Sequence, residues 1–455
     1  MSAALPSTGR QGPLGLVRAR LSRPGFWHVA SILVALVLIL FLQRKQWFFF
    51  DEWAFITFDG LDIFAPHVGH WSTSPILVYE ALIKLFGLNS YFVFALLVTL
   101  FHIATAHLVW RITIRSGANP WLATAATTVF LFLGAGAENI LWAFQIGFIG
   151  GLGFGLLAFY LATSSSISRW RFVAIVAISV FSLTWSGTAL PVFVVTSLLL
   201  WRRSGWRRAV IHFGITAAAY LAWYVTSALG KPGNPSPGAL TVSKIFLDIP
   251  AFLSNLFGSG FQSVFPIIGL GTEILVAVAV WAVYLLVVRH RLPLGSAPAF
   301  LTALSGLLFA GLSAYTRSAF PATGSSSRYV YTITLLFLPV LVLALSQWVG
   351  ARRWAVTTAV VLIMLVAASQ AIVLHRAAGQ QAAIEQGSQR VISAALHLYL
   401  AHPGSISLVS VPDPQWAPDL TMRELVGLYR EHAISVQVYD RNDLHRAETN
   451  LGYGG

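Results

Sequence analysis

The segment Phe48–Pro75, FFFDEWAFITFDGLDIFAPHVGHWSTSP, holds four carboxylates (Asp51, Glu52, Asp59, Asp62) and two histidines (His67, His70) in a chain with only 10% charged residues. Carboxylates and imidazoles are the groups best suited to moving protons near neutral pH. Asp51 and Glu52 directly follow an apolar run, which puts them at a lipid–water boundary. Trp47, Phe48, Phe49, Phe50 and Trp53 surround them in sequence. Partial removal from water disfavours the charged form, so a carboxylate there should have a raised pKa and be a better base. The competing reading is an interfacial cluster whose aromatics anchor a span while its acids face water. His67 and His70, three apart, could join the acids around a divalent cation, with Glu52, His67 and His70 as candidate ligands.

Such groups need a scaffold, and the composition specifies its class. Of 455 residues, 56% are hydrophobic, more than the ~45–50% of soluble domains. A spanning helix takes about 20 mostly apolar residues. Candidates are Phe26–Leu42, Tyr91–Trp110, Trp121–Leu133, Phe148–Leu161, Val210–Leu229, Ile274–Val288, Ala299–Ala314, Val330–Trp348 and Val356–Leu374. No small-residue cleavage site follows the first run, which is expected to be a retained span rather than a signal peptide. The run Phe172–Leu200 is interrupted by TWSGTALP. Arg169 and Arg171 precede it, and Arg202, Arg203, Arg207 and Arg208 follow it. Basic residues collect on the cytoplasmic side, so both ends are expected there and the run crosses twice. The expectation is an all-α polytopic membrane protein with about eleven transmembrane helices, its N-terminus cytoplasmic and its C-terminus extracytoplasmic.

The acids test this topology independently. No Asp or Glu falls in the basic loops assigned to the inner side. Asp51, Glu52, Asp59, Asp62, Glu80, Glu138, Asp248 and Glu273 fall in outer loops or at outer span ends, and the other eight acids lie after Leu374. The net charge of +13 is therefore a matter of topology, and nucleic acid is not an expected partner. The absence of cysteine excludes disulfides, a thiol nucleophile and Cys-type metal sites. Gly147, Gly151 and Gly155 at four-residue spacing read as close helix packing. After Leu374, SISLVSV and ISVQVYD read as strands between helical segments. The domain reading is thus a tail over 1–25, a transmembrane domain over 26–374 with a first loop at 43–90, and a small extracytoplasmic α/β appendage over 375–455.

A carboxylate pair just after the first span, in a long first outer loop with surface helices, resembles the GT-C glycosyltransferases. The strings PHVGHWSTSPILVYEALIKLFGLNSY, ENILWAFQIGF and SSSRYVY, in that order, look like a bacterial branch of polyprenyl-phosphate-sugar-dependent transferases. The resemblance runs from Phe26 to Pro339. It implies a GT-C-like fold in the bacterial plasma membrane, with an extracytoplasmic site. It also implies inverting hexosyl or pentosyl transfer from a polyprenyl-phosphate donor to a hydroxyl of a cell-envelope glycan, lipid or protein. Asp51 takes the catalytic-base position and Glu52 the paired position.

The leaving lipid phosphate calls for a cation. Arg328 and Arg317 lie in an outer loop against the charge trend, and a guanidinium fork suits phosphate; the alternative is a snorkelling or salt-bridged role. Arg44 and Lys45 flank the first loop and could meet lipid head groups. Glu138 is a candidate for acceptor binding, for holding the arginines or for a structural hydrogen bond. His67, His70 and Trp71 are candidates for hydrogen-bonding the sugar. No cofactor is required by the residues, although a divalent cation remains compatible with them. The other function classes are a transporter or flippase of lipid-linked sugars and a non-catalytic scaffold. The first predicts ionisable groups at mid-membrane and related half-repeats, and the sequence has neither.

Overall fold

A computed structural model describes residues 23–57, 63–231, 239–266, 269–287 and 295–453. Asp59, Asp62, residues 1–22 and Arg289 to Arg291 lie outside the described residues. α1 (Pro24–Gln43) opens with a proline at its first position, where the missing N–H costs nothing. The first loop carries α2 (Glu52–Ile56), a hairpin of β1 (Pro66–His67) and β2 (His70–Trp71), and α3 (Thr73–Phe86). α4 (Phe92–Arg115), α5 (Pro120–Leu131), α6 (Ala137–Leu141) and α7 (Ile146–Ala162) follow. Then come α8 (Arg169–Leu183), α9 (Leu190–Ser204), α10 (Trp206–Trp223), α11 (Ile249–Asn255) and α12 (Gly271–Val287). α13 (Ala297–Arg317), α14 (Ser327–Val349) and α15 (Arg353–Ala401) complete the helical body, and α16 (Met422–Arg430) and α17 (Arg441–Leu451) close the chain.

Among the described residues, seven helical stretches are long and apolar enough to cross a membrane. An eighth is added if Pro120–Leu131 and Gly134–Leu141, bent by 48°, form one span. The other three of the eleven expected spans are α8 and α9, of 15 residues each, and α12, of 17. α8 and α9 fall short of the ~20 residues that cross a bilayer without local thinning or snorkelling, while the 17 described residues of α12 reach the lower end of the spanning range. The interrupted run is therefore two short helices, and both pack on α7. The glycines of α7 make room for the link between them. A Cβ on Gly150 would stand 2.4 Å from the Trp185 ring, and one on Gly151 would stand 2.6 Å from Thr188 Oγ1.

α15 has 49 residues, roughly 74 Å at 1.5 Å per residue, far more than one crossing needs. It passes through 374–375 unbroken, so the expected domain boundary falls inside a helix. The C-terminal unit also differs from the α/β expectation. Among the described residues the sole sheet is the two-stranded hairpin of β1 and β2, and residues 405–411 and 434–440 are not strands. Their backbone groups find partners elsewhere. The Leu408 and Ser410 carbonyls accept from the N–H groups of Arg423 and Met422, and the Ala433 carbonyl accepts from Leu88 N–H. Ser435 N–H donates to Asn89 Oδ1. These partners engage part of each segment's backbone in contacts other than a shared ladder.

Candidate active site

The site is built where α1 ends. Gln43, buried, donates from its amide to the carbonyls of Ile140 and Leu141 (3.0 and 3.1 Å) and accepts from Thr99 Oγ1 (2.9 Å). Glu385 of α15 accepts from Trp47 N–H at 2.9 Å. Phe50 then adopts φ 53°, a left-handed conformation that costs a non-glycine residue about 1–3 kcal/mol unless its surroundings impose it. They do: its N–H donates to the Trp416 carbonyl of the C-terminal unit, and the Phe49 and Trp416 rings lie 6.4 Å apart.

Asp51 comes next, at the head of α2 and half-buried. Burial pushes its pKa up to about 6, against the pull of Arg328 and Arg317 and with added repulsion from Asp419 and Glu138. Successive helical positions point about 100° apart, and the two acids consequently meet different surroundings. Glu52 is completely buried. Oε1 accepts from the Tyr79 and Tyr91 hydroxyls (2.6 and 3.0 Å), and Oε2 accepts from Phe49 N–H (3.1 Å). Desolvation still dominates and pushes its pKa up to about 7. The Tyr91 hydroxyl also accepts from Ala143 N–H at 2.8 Å, which ties α2, α3, α4 and the turn before α7 into one unit.

The cations enter from α13 and α14. Arg328, the second residue of α14, pairs with Glu138 (Nη2 to Oε1 2.8 Å) and remains about one-third exposed. Glu138 is itself held, its N–H donating to Ser327 Oγ (3.1 Å) and its Oε2 accepting from Ser326 Oγ (3.4 Å). Arg317, the last residue of α13, donates to the Val68 carbonyl at 3.3 Å. Both guanidiniums and Glu138 lie close enough to Asp51 to shift its titration.

The expected His-x-x-His unit is a hairpin, not a helical turn. Val68 and Gly69 both have positive φ (48° and 79°), the geometry of a type I′ turn, and His67 pairs directly with His70. Burial pushes both imidazoles down to about 4, so they are neutral at pH 7. His67 lies between Phe55 and Phe144, with Nε2 buried and without a partner among the described residues. His70 feels Arg317 and Arg328, which places it on the same side as Asp51. Trp71 is turned away: it stacks on Trp223 (5.3 Å, 1°) and donates to Thr73 Oγ1. Among the described residues no three His, Asp or Glu side chains come together around a possible metal ion. Glu52 is engaged by two tyrosines, so Glu52, His67 and His70 do not form a fitting cation site.

Asp51, Glu138, Arg317, Arg328 and His70 thus converge, while Glu52 and Trp71 point into packed surroundings. Trp416 and Asp419 belong to the same neighbourhood, and nothing in their local sequence marks them. Tyr79 and Tyr91 could have been suspected as partners for a buried acid. The turn at Val68–Gly69 was not readable, because a β-branched residue rarely takes the positive φ that a type I′ turn needs.

No known protein family and no curated protein matches the chain by sequence. Solved structures do match in fold. The crystal structure of ArnT from Cupriavidus metallidurans bound to undecaprenyl phosphate aligns over 93% of this chain and 88% of its own, with TM-score 0.52 and 15% identity. An apo oligosaccharyltransferase from Archaeoglobus fulgidus aligns over 91% of this chain and 60% of its own, with TM-score 0.45 and 11% identity. The chain is an all-α, multi-pass membrane protein with a GT-C-like fold.

Proposed function

We propose that the protein is a membrane glycosyltransferase that moves a sugar from a polyprenyl-phosphate donor to a hydroxyl of a cell-envelope glycan, lipid or protein. The observation that carries this reading is the meeting of a half-buried carboxyl, Asp51, with two guanidiniums at the end of the first span. The undecaprenyl phosphate bound by its structural neighbour gives those guanidiniums a ligand class. The acceptor oxygen attacks the anomeric carbon from the face opposite the phosphate, which inverts it. Its proton passes to Asp51 as the C–O bond forms and the bond to the phosphate oxygen breaks. The polyprenyl phosphate departs with the bonding electrons and is stabilised by Arg328, with Arg317 beside it. Glu138 aims Arg328 until the donor arrives. Glu52 acts from beneath as a positioning residue, clamping the peptide that carries Asp51. His67 and His70, neutral, are suited to hydrogen-bonding sugar hydroxyls, His70 from the Asp51 side.

In the same reading the charge asymmetry of the sequence supports a site on the extracytoplasmic face, and the family resemblance supports a bacterial plasma membrane. The test presents polyprenyl-phosphate sugars and envelope-glycan fragments to the protein in nanodiscs and follows release of polyprenyl phosphate. Asp51→Asn should lower release by at least ~100-fold with an unchanged melting temperature; equal release by both proteins removes Asp51 from the mechanism.

A further inference from the structure

A second polar site lies behind the first. Between the end of α1, the start of α4 and the middle of α15 is a cavity of about 390 Å³, within the range of small-ligand cavities. Arg44, Lys45, Gln46, Tyr91, Phe92 and Gln389 help to line it, and among the described residues no carboxylate does. The nearby Glu385 is occupied, accepting from Trp47 N–H and from Gln381. Gln46 is 5% exposed, yet neither its Oε1 nor its Nε2 has a hydrogen-bond partner among the described residues. Leaving both ends of a buried amide unpaired is unfavourable, because neither group recovers the hydrogen bonds it makes in water. Lys45 and Arg44 are exposed beside it, and Arg44 lies over the Phe41 ring at 3.7 Å. Phe41 and Phe92 are exposed apolar rings on the helices that end there.

A ligand that satisfies this cavity accepts from the Gln46 amide and carries negative charge for Lys45 and Arg44. It also donates to Gln46 Oε1 and has an apolar body to lie along Phe41 and Phe92. We propose that the cavity binds the headgroup of an anionic membrane lipid in which a phosphate diester adjoins a hydroxyl, as in phosphatidylglycerol. The phosphate meets Lys45, Arg44 and the Gln46 N–H, and the hydroxyl donates to Gln46 Oε1. Tyr91 lines this cavity and also donates to Glu52, so the bound lipid stiffens the wall shared with the candidate active site.

The test uses the full chain in phosphatidylcholine nanodiscs, titrated separately with phosphatidylglycerol, polyprenyl phosphate and inorganic phosphate. Retained lipid is read by native mass spectrometry and melting temperature in parallel. Phosphatidylglycerol should bind saturably and raise the melting temperature. Lys45→Glu should weaken it by more than about fivefold, the effect of one basic residue near a charged lipid. Gln46→Leu should also lose the lipid while melting no lower than wild type without lipid, since it removes an unpaired amide. Lys84→Glu, at a side chain 78% exposed on α3, should bind as wild type does. The proposal is overturned if phosphatidylglycerol binds no better than phosphatidylcholine, or if Lys45→Glu and Gln46→Leu both bind it normally. Saturation by polyprenyl phosphate alone would reassign the cavity to the donor lipid. Displacement by inorganic phosphate at equal concentration would remove the lipid from the assignment.

Discussion

At the scale of single residues, Asp51 and Glu52 show how burial separates two neighbouring carboxyls into two tasks. Asp51 titrates near 6 and keeps access to the guanidiniums. A base must be ionised to act, so turnover should fall as pH drops through about 6, roughly tenfold per unit below it. Arg328 holds that value down. Arg328→Gln should therefore move the acid limb to higher pH as well as lowering the rate, which a pH–rate profile resolves. Glu52 has the opposite kind of consequence. Its carboxyl is raised from 4.5 to about 7 in the folded protein, so the folded state binds more protons than the unfolded chain between those values. Stability is thus full below about pH 4.5, is lost as pH rises toward 7 and stays lost above it, by an amount on the order of 3 kcal/mol. Glu52→Gln keeps an acceptor for Tyr79 and Tyr91 and should erase that dependence. Its melting temperature should exceed that of wild type at pH 8 and match it at pH 4.

At the scale of elements, the helices were readable because a bilayer demands long apolar runs, and α1, α4, α13 and α14 lie where the hydropathy places them. The Asp51–Glu52 pair was singled out by position and composition, and the structure gives the two acids different surroundings, Asp51 half-buried and Glu52 completely buried. Two things were not readable. Alternation in residues 405–411 and 434–440 suggested strands, yet Ile406 and Ile434 are buried while Val409 and Val438 are 70% and 89% exposed. The alternation faces water on one side, and the backbone groups that are bonded find helix ends and loops rather than a partner strand. The contribution of Trp416 and Asp419 was illegible because it depends on a docking that no local pattern encodes. Gly87 is central to that docking. Its φ is +66°, and a Cβ there would stand 3.0 Å from the Ala433 carbonyl. Gly87→Val should cost about 1–3 kcal/mol and free the C-terminal unit, visible as a lower melting temperature and faster limited proteolysis between 402 and 440.

At the scale of the whole molecule, one fold serves two environments. The helical body supplies the span ends from which Arg317 and Arg328 project, and α15 carries the chain on without a break to the unit that returns over the first loop. Nearly the first and nearly the last described segments therefore meet at a single peptide, Phe50 N–H to Trp416 C=O. This has a consequence in time. Synthesis proceeds at ~5–20 residues per second, so the ribosome releases Phe50 and Asp51 tens of seconds before Trp416 exists. Until then the left-handed Phe50 has no carbonyl to hold it, and the carboxyl beside it has no fixed address. A chain still being threaded into the membrane carries the charged residues of the site without their arrangement; the later stretch around Trp416 is the latch that closes it.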